Sequence, residues 1–123
     1  MVCASPEYLR EHGVPVEPDD LARHRCLTII GHEELEHWPF KQGRETLRVR
    51  VRPAMRSDSA VALRHLALSG LGIVRLADFV VRDSIAMGLL VPILDETHQT
   101  DDIPIWALYA PANWLGSGFI TRT

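Results

Sequence analysis

Several kinds of residue and segment are scarce in this sequence, and each scarcity excludes a class of protein. Only two cysteines occur in 123 residues, Cys3 and Cys26. They lie too far apart for a C-x-x-C redox or zinc signature. Each stands beside an apolar residue (Val2 and Leu27), where free cysteine acts as a small hydrophobe, so a reduced, cytoplasmic setting is expected. There is no basic excess: thirteen Lys and Arg against sixteen Asp and Glu give a net charge of −3. That balance argues against nucleic acid as the main partner of these residues, because phosphate binding needs a basic face. The chain does not open with the basic region and apolar run of a signal peptide. Its long uncharged stretch, residues 103–121, is broken by Pro104, Pro111, Asn113, Gly116 and Gly118 and reads as a buried strand and a turn, with no membrane partner. No internal repeat or low-complexity tract is visible.

What is present suits one folded domain. Hydrophobic residues make up 46% and charged residues 24%, which excludes a disordered tail. A chain of this length buries roughly two-thirds of its unfolded surface and needs no covalent staple. Val2-Cys3-Ala4 ends a strand, and Ser5 and Pro6 then open a short helix stopped at Gly13, with Tyr8 and Leu9 as its packing residues. A second helical turn follows at Pro18-Asp19-Asp20-Leu21, acidic at its start as the helix dipole prefers. Residues 26–30 form an apolar strand. Trp38-Pro39-Phe40 starts a hairpin turning at Gln42-Gly43. Its return alternates Leu47, Val49 and Val51 with Arg48, Arg50 and Arg52, a period of two that separates apolar and cationic faces.

Ser57-Asp58-Ser59 opens the clearest helix, over residues 57–69, with Gly70 at its stop. Gly72-Ile73-Val74 is a short buried strand, and Asp78 begins a helix reaching about Met87. Residues 89–94 and 103–109 are further strands, and Asn113 caps a last turn. Helices alternating with short apolar strands predict an α/β fold, a Rossmann-like mixed sheet flanked by helices.

Three apparent motifs have plainer readings. His32 and His37 are five apart, about 140° around a helix, so residues 32–37 read as a charged loop and not as a metal site. Gly70-Leu71-Gly72 follows a helix instead of opening one, the reverse of a dinucleotide fingerprint; a helix stop and close helix–strand packing fit it better. The arginine stripe reads as the solvent face of a strand near a sheet edge. No G-x-S-x-G elbow, phosphate-binding loop or apolar carboxylate pair is present. The start of the residue 57–69 helix is the most promising feature, because unpaired N–H groups and the hydroxyls of Ser57 and Ser59 suit a polar or anionic ligand group. Arg56 adds attraction for an anion and Asp58 opposes it. The helix start at Ser5 and Pro6 offers the same donors, so the two together suggest a crevice at strand carboxyl ends.

Val2-Cys3-Ala4-Ser5-Pro6-Glu7-Tyr8-Leu9, Gly13-Val14-Pro15, Pro18-Asp19-Asp20-Leu21 and His24-Arg25-Cys26-Leu27 resemble the LysR-type transcriptional regulators. The order continues with Ser57-Asp58-Ser59, Leu68-Ser69-Gly70-Leu71-Gly72-Ile73, Phe79-Val80-Val81, Gly88-Leu89-Leu90-Val91-Pro92-Ile93-Leu94 and Pro104-Ile105-Trp106-Ala107-Leu108-Tyr109. The likeness is to the second subdomain of the family's effector-binding domain, a type 2 periplasmic-binding-protein fold. It implies a second subdomain over about residues 4–103 and an incomplete return toward the first subdomain over about 104–123. The family's winged helix-turn-helix, linker helix and first subdomain would precede Met1.

The resemblance implies a small-molecule effector, an organic or aromatic acid, held between two subdomains, with self-association through the effector domain and DNA binding only through a domain outside these residues. Mapped by motif, Ser57, Asp58 and Ser59, with Arg56, Ser5, Pro6, Leu76 and Ala77, would contribute to the effector site, with no cofactor, metal or catalytic residue. Ala77 stands where the family commonly has proline. The helix face over residues 64–69 and the neighbouring strand resemble the family's dimerisation surface. One subdomain alone is expected to bind an effector weakly or not at all, and not to bind DNA. A free-standing solute-binding module, or a small α/β enzyme using Cys3, Cys26 or a histidine, remain alternatives.

Overall fold

A computed structural model describes residues 1–31 and 33–95, Glu33 by its backbone alone. Within them the chain runs β1 (Val2–Ala4), α1 (Pro6–His12), a 3-10 turn (Pro18–Arg23), β2 (Cys26–Ile29), a second 3-10 turn (Glu33–Glu36), β3 (His37–Gln42), β4 (Glu45–Arg50), β5 (Pro53–Ser57), α2 (Ala60–Leu68), β6 (Ile73–Arg75), α3 (Asp78–Ala86) and β7 (Val91–Pro92). Five strands form one mixed sheet in the order β5-β2-β6-β1-β7, and β3 and β4 pair as a separate two-stranded ribbon. β5, β2 and β6 are parallel, whereas β1 runs against both β6 and β7.

Strand periodicity divides the core into two layers. Cys3, Leu27, Ile29 and Val74 point to one face, where Ala60, Leu63 and Ala67 of α2 and Val80 and Val81 of α3 cover them. Val2, Ala4, Cys26 and Ile73 point to the other, under Tyr8 of α1, Leu21 of the first 3-10 turn, and Trp38 and Phe40 of the ribbon. The central strands β1, β2 and β6 thus have both faces covered, as expected for an α/β sheet.

The helix punctuation follows from local chemistry. Ser5 is the N-cap of α1, its hydroxyl accepting the Tyr8 N–H at 3.1 Å, and Gly13 ends the helix at φ 85°. Ser59 caps α2 by accepting from Ala62 N–H at 3.2 Å. Gly70 follows α2 at φ 80°, where its lack of a Cβ avoids left-handed strain.

Several boundaries differ from the sequence reading. The helix expected over 57–69 begins at Ala60, because Ser57 and its predecessors form β5, an edge strand with exposed Ala54, Met55 and Arg56 and no alternating pattern to announce it. The hairpin turns at Gly43-Arg44, not Gln42-Gly43, since Gln42 pairs with Glu45 and Gly43 supplies the positive φ of 64°. The strand expected over 89–94 shrinks to Val91–Pro92, whose ladder is limited to Cys3 and Ala4 of the three-residue β1. Gly72 serves a strand–strand approach, not helix–strand packing: a Cβ there would sit 2.6 Å from the Arg25 carbonyl oxygen that leads into β2. The strand expected over 103–109 and the turn at Asn113 lie outside the described residues.

Candidate functional site

Parallel pairing brings the carboxyl ends of β2, β5 and β6 to one edge of the sheet. Ile30 N–H donates to the Ser57 carbonyl at 2.9 Å there, and Leu76 N–H donates to the Met1 carbonyl at 2.9 Å. This edge therefore gathers Ser57, Asp58, Ser59, Leu76 and Ala77, with Arg56 one residue below it. Such an edge is where open α/β sheets take ligands.

Ser5 and Pro6 are not part of it. They follow the carboxyl end of β1, and because β1 runs antiparallel to β6, that end lies on the opposite edge. The Ser5 hydroxyl faces Gly70, beyond the far end of α2. Ser5 is buried, and its hydroxyl is the cap of a helix of seven residues. The single crevice suggested by two helix starts is thus overturned by strand direction.

At the α2 start the hydroxyls first serve the backbone. Ser57 Oγ accepts the Ser59 N–H at 3.3 Å, and Ser59 Oγ accepts the Ala62 N–H. Ala77 opens α3 with φ −61° and ψ 147° and no side-chain cap. That φ is the one a proline ring imposes, so alanine here preserves a proline-like entry into the helix.

Arg56 also departs from expectation. Its partner across the ladder is Thr28, and both project to the ribbon face of the sheet. There the Arg56 Nε donates to Glu36 Oε2 at 3.0 Å, and Thr28 Oγ1 donates to the same oxygen at 3.0 Å. Residues 32–37 are therefore not simply a charged loop. Glu33–Glu36 is a 3-10 turn whose last carboxylate is only 7% exposed, and the Glu36 carbonyl accepts the Val51 N–H at 2.9 Å. A buried carboxylate requires such donors, because desolvating it unpaired is costly. Arg56 satisfies Glu36 instead of standing beside the α2 start.

Sequence reasoning missed Arg75. The register Cys26↔Ile73 and Leu27↔Val74 carries on to place Thr28 beside Arg75 on the ribbon face. Arg56, Thr28 and Arg75 thus form a row across β5, β2 and β6, with neighbouring strands about 4.8 Å apart. Arg75 and Thr28 help line a small hollow of about 20 Å³ with Leu27, Ile29, Leu35, Trp38, Leu63 and Leu76. Only the register across β2 and β6 exposes this grouping, because Arg75 and Thr28 are 47 positions apart in sequence.

The other sequence candidates are placed as follows. Both cysteines are fully buried, and burial pushes the Cys3 thiol up to about 11 and Cys26 up to about 12. Neither has the exposed, electropositive setting that activates a thiolate. His24 Nδ1 lies 2.7 Å from the Tyr8 hydroxyl, which also accepts the Arg25 N–H at 3.1 Å. Burial first, and then the charge of His12, hold His24 below its ordinary value. Among the described residues no cluster of three or more metal-ligating side chains occurs. Arg48, Arg50 and Arg52 are exposed while Leu47 and Val49 turn inward, as their alternation predicts. On the expected dimerisation face, Arg64 donates to the Val80 carbonyl of α3 at 3.0 Å. No helix of the described residues is long and apolar enough to cross a membrane.

Comparison with known proteins completes the picture. Residues 1–118 match the family model of the LysR substrate binding domain. The HTH-type transcriptional regulator CrgA of Neisseria meningitidis serogroup B is 39% identical over 108 residues, covering 88% of this chain and 36% of CrgA. The HTH-type transcriptional activator TtdR of Escherichia coli K12 is 32% identical over 111 residues, covering 89% of this chain and 35% of TtdR. The chain therefore spans about a third of the length of these curated relatives. The solved regulatory domain of CrgA from Neisseria meningitidis superposes with a TM-score of 0.75 at 39% identity, covering 81% of this chain and 49% of that one.

Proposed function

The chain belongs to the LysR substrate-binding domain family, and on that premise we propose that it forms one jaw of a metabolite-sensing clamp in a cytoplasmic transcription regulator. It is an effector-binding regulatory domain of the LysR type, with the mixed α/β fold of such domains. Its ligand is a small organic or aromatic acid, gripped between this subdomain and a preceding one. Self-association proceeds through the effector domain, and DNA contact belongs to the helix-turn-helix part of the regulator. The clamp performs no covalent chemistry.

The observation that carries this reading is the shared sheet edge. Ser57, Asp58 and Ser59 are distant in sequence from Leu76 and Ala77, yet parallel pairing sets the two groups around the carboxyl ends of β2, β5 and β6. A ligand seated there and on a facing subdomain favours one relative placement of the two. That difference in affinity between placements is what shifts a regulatory equilibrium. The separate solute-binding reading uses the same edge but demands tight binding by these residues alone.

An NMR titration of the chain with a panel of small carboxylic acids tests the proposal. Weak, saturable shifts confined to residues 29–30, 57–60 and 76–77 support it. Shifts centred on Ser5 and Tyr8, or no response to any acid, contradict it. Micromolar affinity from this chain alone supports the free-standing binding module instead.

A further inference from the structure

Two histidines flank one tyrosine on the sheet face covered by α1 and the first 3-10 turn. The Tyr8 ring is buried. His12, one turn further along α1, stacks on it with ring centroids 4.4 Å apart and planes at 22°, and His24, just after the 3-10 turn, tilts beside it at 5.8 Å. The Tyr8 oxygen accepts the Arg25 N–H at 3.1 Å and lies 2.7 Å from His24 Nδ1. With its oxygen accepting from the backbone, Tyr8 gives its own proton to Nδ1, which is therefore the unprotonated ring nitrogen. The bonds run in one direction, from Arg25 N–H to the Tyr8 oxygen and from Tyr8 O–H to His24. Beyond them the Arg25 carbonyl accepts the Ile73 N–H at 2.8 Å, and Arg25 Nε donates to the Leu71 carbonyl at 3.3 Å. The chain of bonds thus pins α1 to the amino ends of β2 and β6, on the edge opposite the candidate effector site.

A proton on Nδ1 reverses one link. Nδ1–H and the Arg25 N–H then both point at the Tyr8 oxygen, and the phenolic proton loses its acceptor. The surrounding charges do not offset this. His12 brings a second cation, whose own proton the tyrosine face accommodates, and Arg23 and Arg25 stand on either side of His24 in sequence. Asp20 is the near anion, but its carboxylate already accepts the Val16 and Glu17 N–H groups, each at 3.0 Å, and the Arg23 guanidinium at 2.6 Å. Glu11 lies 4.0 Å from His12 Nε2, and it, Glu7 and Arg10 are exposed on α1. Cys26 is buried and its thiol, pushed up to about 12, stays neutral.

We propose that Tyr8 and His24 form a pH-sensitive clasp: neutral His24 holds α1 and the first 3-10 turn against the sheet, and its protonation releases them while the α2–α3 face and the carboxyl-end edge keep their packing. The clasp is closed above the ordinary histidine value of 6.5 and opens as the pH falls through the lower value that His24 has in the fold. It stands apart from the effector-jaw reading and needs no ligand.

NMR of the full chain between about pH 7.5 and about pH 5 tests the clasp. Hydrogen exchange at the Arg25 amide, corrected for the intrinsic rate, is expected to lose at least about tenfold of its protection on acidification, the loss of one buried hydrogen bond. Its midpoint should coincide with that of the His24 imidazole, and the amides of residues 8–9 and 21–25 should move with it while those of α2 and α3 stay. His24→Asn keeps a side-chain acceptor that does not titrate, so its Arg25 protection should be the same at both ends of the range. His12→Gln removes the neighbouring cation and should raise the His24 midpoint. Tyr8→Phe should leave Arg25 poorly protected throughout; if that variant does not fold, the unaltered chain and His24→Asn decide. Constant Arg25 protection in the unaltered chain, or an equal loss in His24→Asn, overturns the clasp. Loss of α2 and α3 signals at the same midpoint overturns it too, because the transition would then be global unfolding.

Discussion

Replacing Gly72 with alanine sets two opposing effects against each other, and the structure decides the sign. Gly72 does not occupy the left-handed region, so alanine meets no backbone strain there. Reduced freedom in the unfolded chain would then stabilise the variant by about 0.4–1 kcal/mol. Against this, the new Cβ would lie 2.6 Å from the Arg25 carbonyl oxygen, 3.2 Å from its carbon and 3.1 Å from Leu27 Cγ. The oxygen cannot simply swing aside, because it accepts the Ile73 N–H at 2.8 Å. Overpacking at such a site costs about 1–3 kcal/mol, and loss of the hydrogen bond adds about 1–3 kcal/mol. The net expectation is destabilisation by about 3 kcal/mol, a fall in Tm of about 12 °C for a domain of this size. Urea denaturation of Gly72→Ala beside Gly88→Ala separates the causes. Gly88 has φ 76° and open space around it, so its cost is backbone strain alone, about 1–2 kcal/mol. A Gly72→Ala protein as stable as the parent would refute the close-approach account.

Other perturbations follow from the same geometry. Arg56→Ala strands the buried Glu36 carboxylate on Thr28 alone and is expected to cost about 1–2 kcal/mol, the low end because the guanidinium is half exposed; in a double-mutant cycle with Glu36→Gln, a coupling near zero would show that the pair is idle. Folding depresses His24 below its usual 6.5, so the unfolded state binds the extra proton. Its contribution is thus present above pH 6.5 and lost as the pH falls through the folded value. The urea midpoint should therefore drop on acidification, and His24→Asn should flatten that drop; an unaltered profile would contradict it. Ala77→Pro, at a φ of −61°, is expected to raise stability by about 0.4–1 kcal/mol, and a melt lowered by several degrees would show that the loop is not proline-like.

Legibility in the sequence followed the range of the interaction. Caps and stops are local, so Ser5-Pro6 and Gly13, Ser59 and Gly70, and the arginine alternation of β4 were readable before any fold was known. The α/β class followed from the same punctuation. Strand direction is not local. Nothing in Val2-Cys3-Ala4 shows that it runs against β6, and that one fact moves Ser5 and Pro6 to the other edge of the sheet. β5 escaped notice because an exposed edge strand of Pro-Ala-Met-Arg-Ser has no inward face to write a pattern. Glu36 was hidden in an acidic run, where burial depends on Thr28 and Arg56 arriving from elsewhere. Arg75 became visible only when the register of β2 and β6 set it next to Thr28.

The most direct test of the effector jaw is paramagnetic broadening of the chain's amide signals by a small carboxylic acid carrying a nitroxide, with the uncharged amide of the same nitroxide as reference. The account predicts selective broadening at residues 29–30, 57–60 and 75–77, weaker with the amide, and little effect at Ser5, Tyr8 and residues 70–72. Broadening centred on that second group, or spread evenly over the surface, would contradict it.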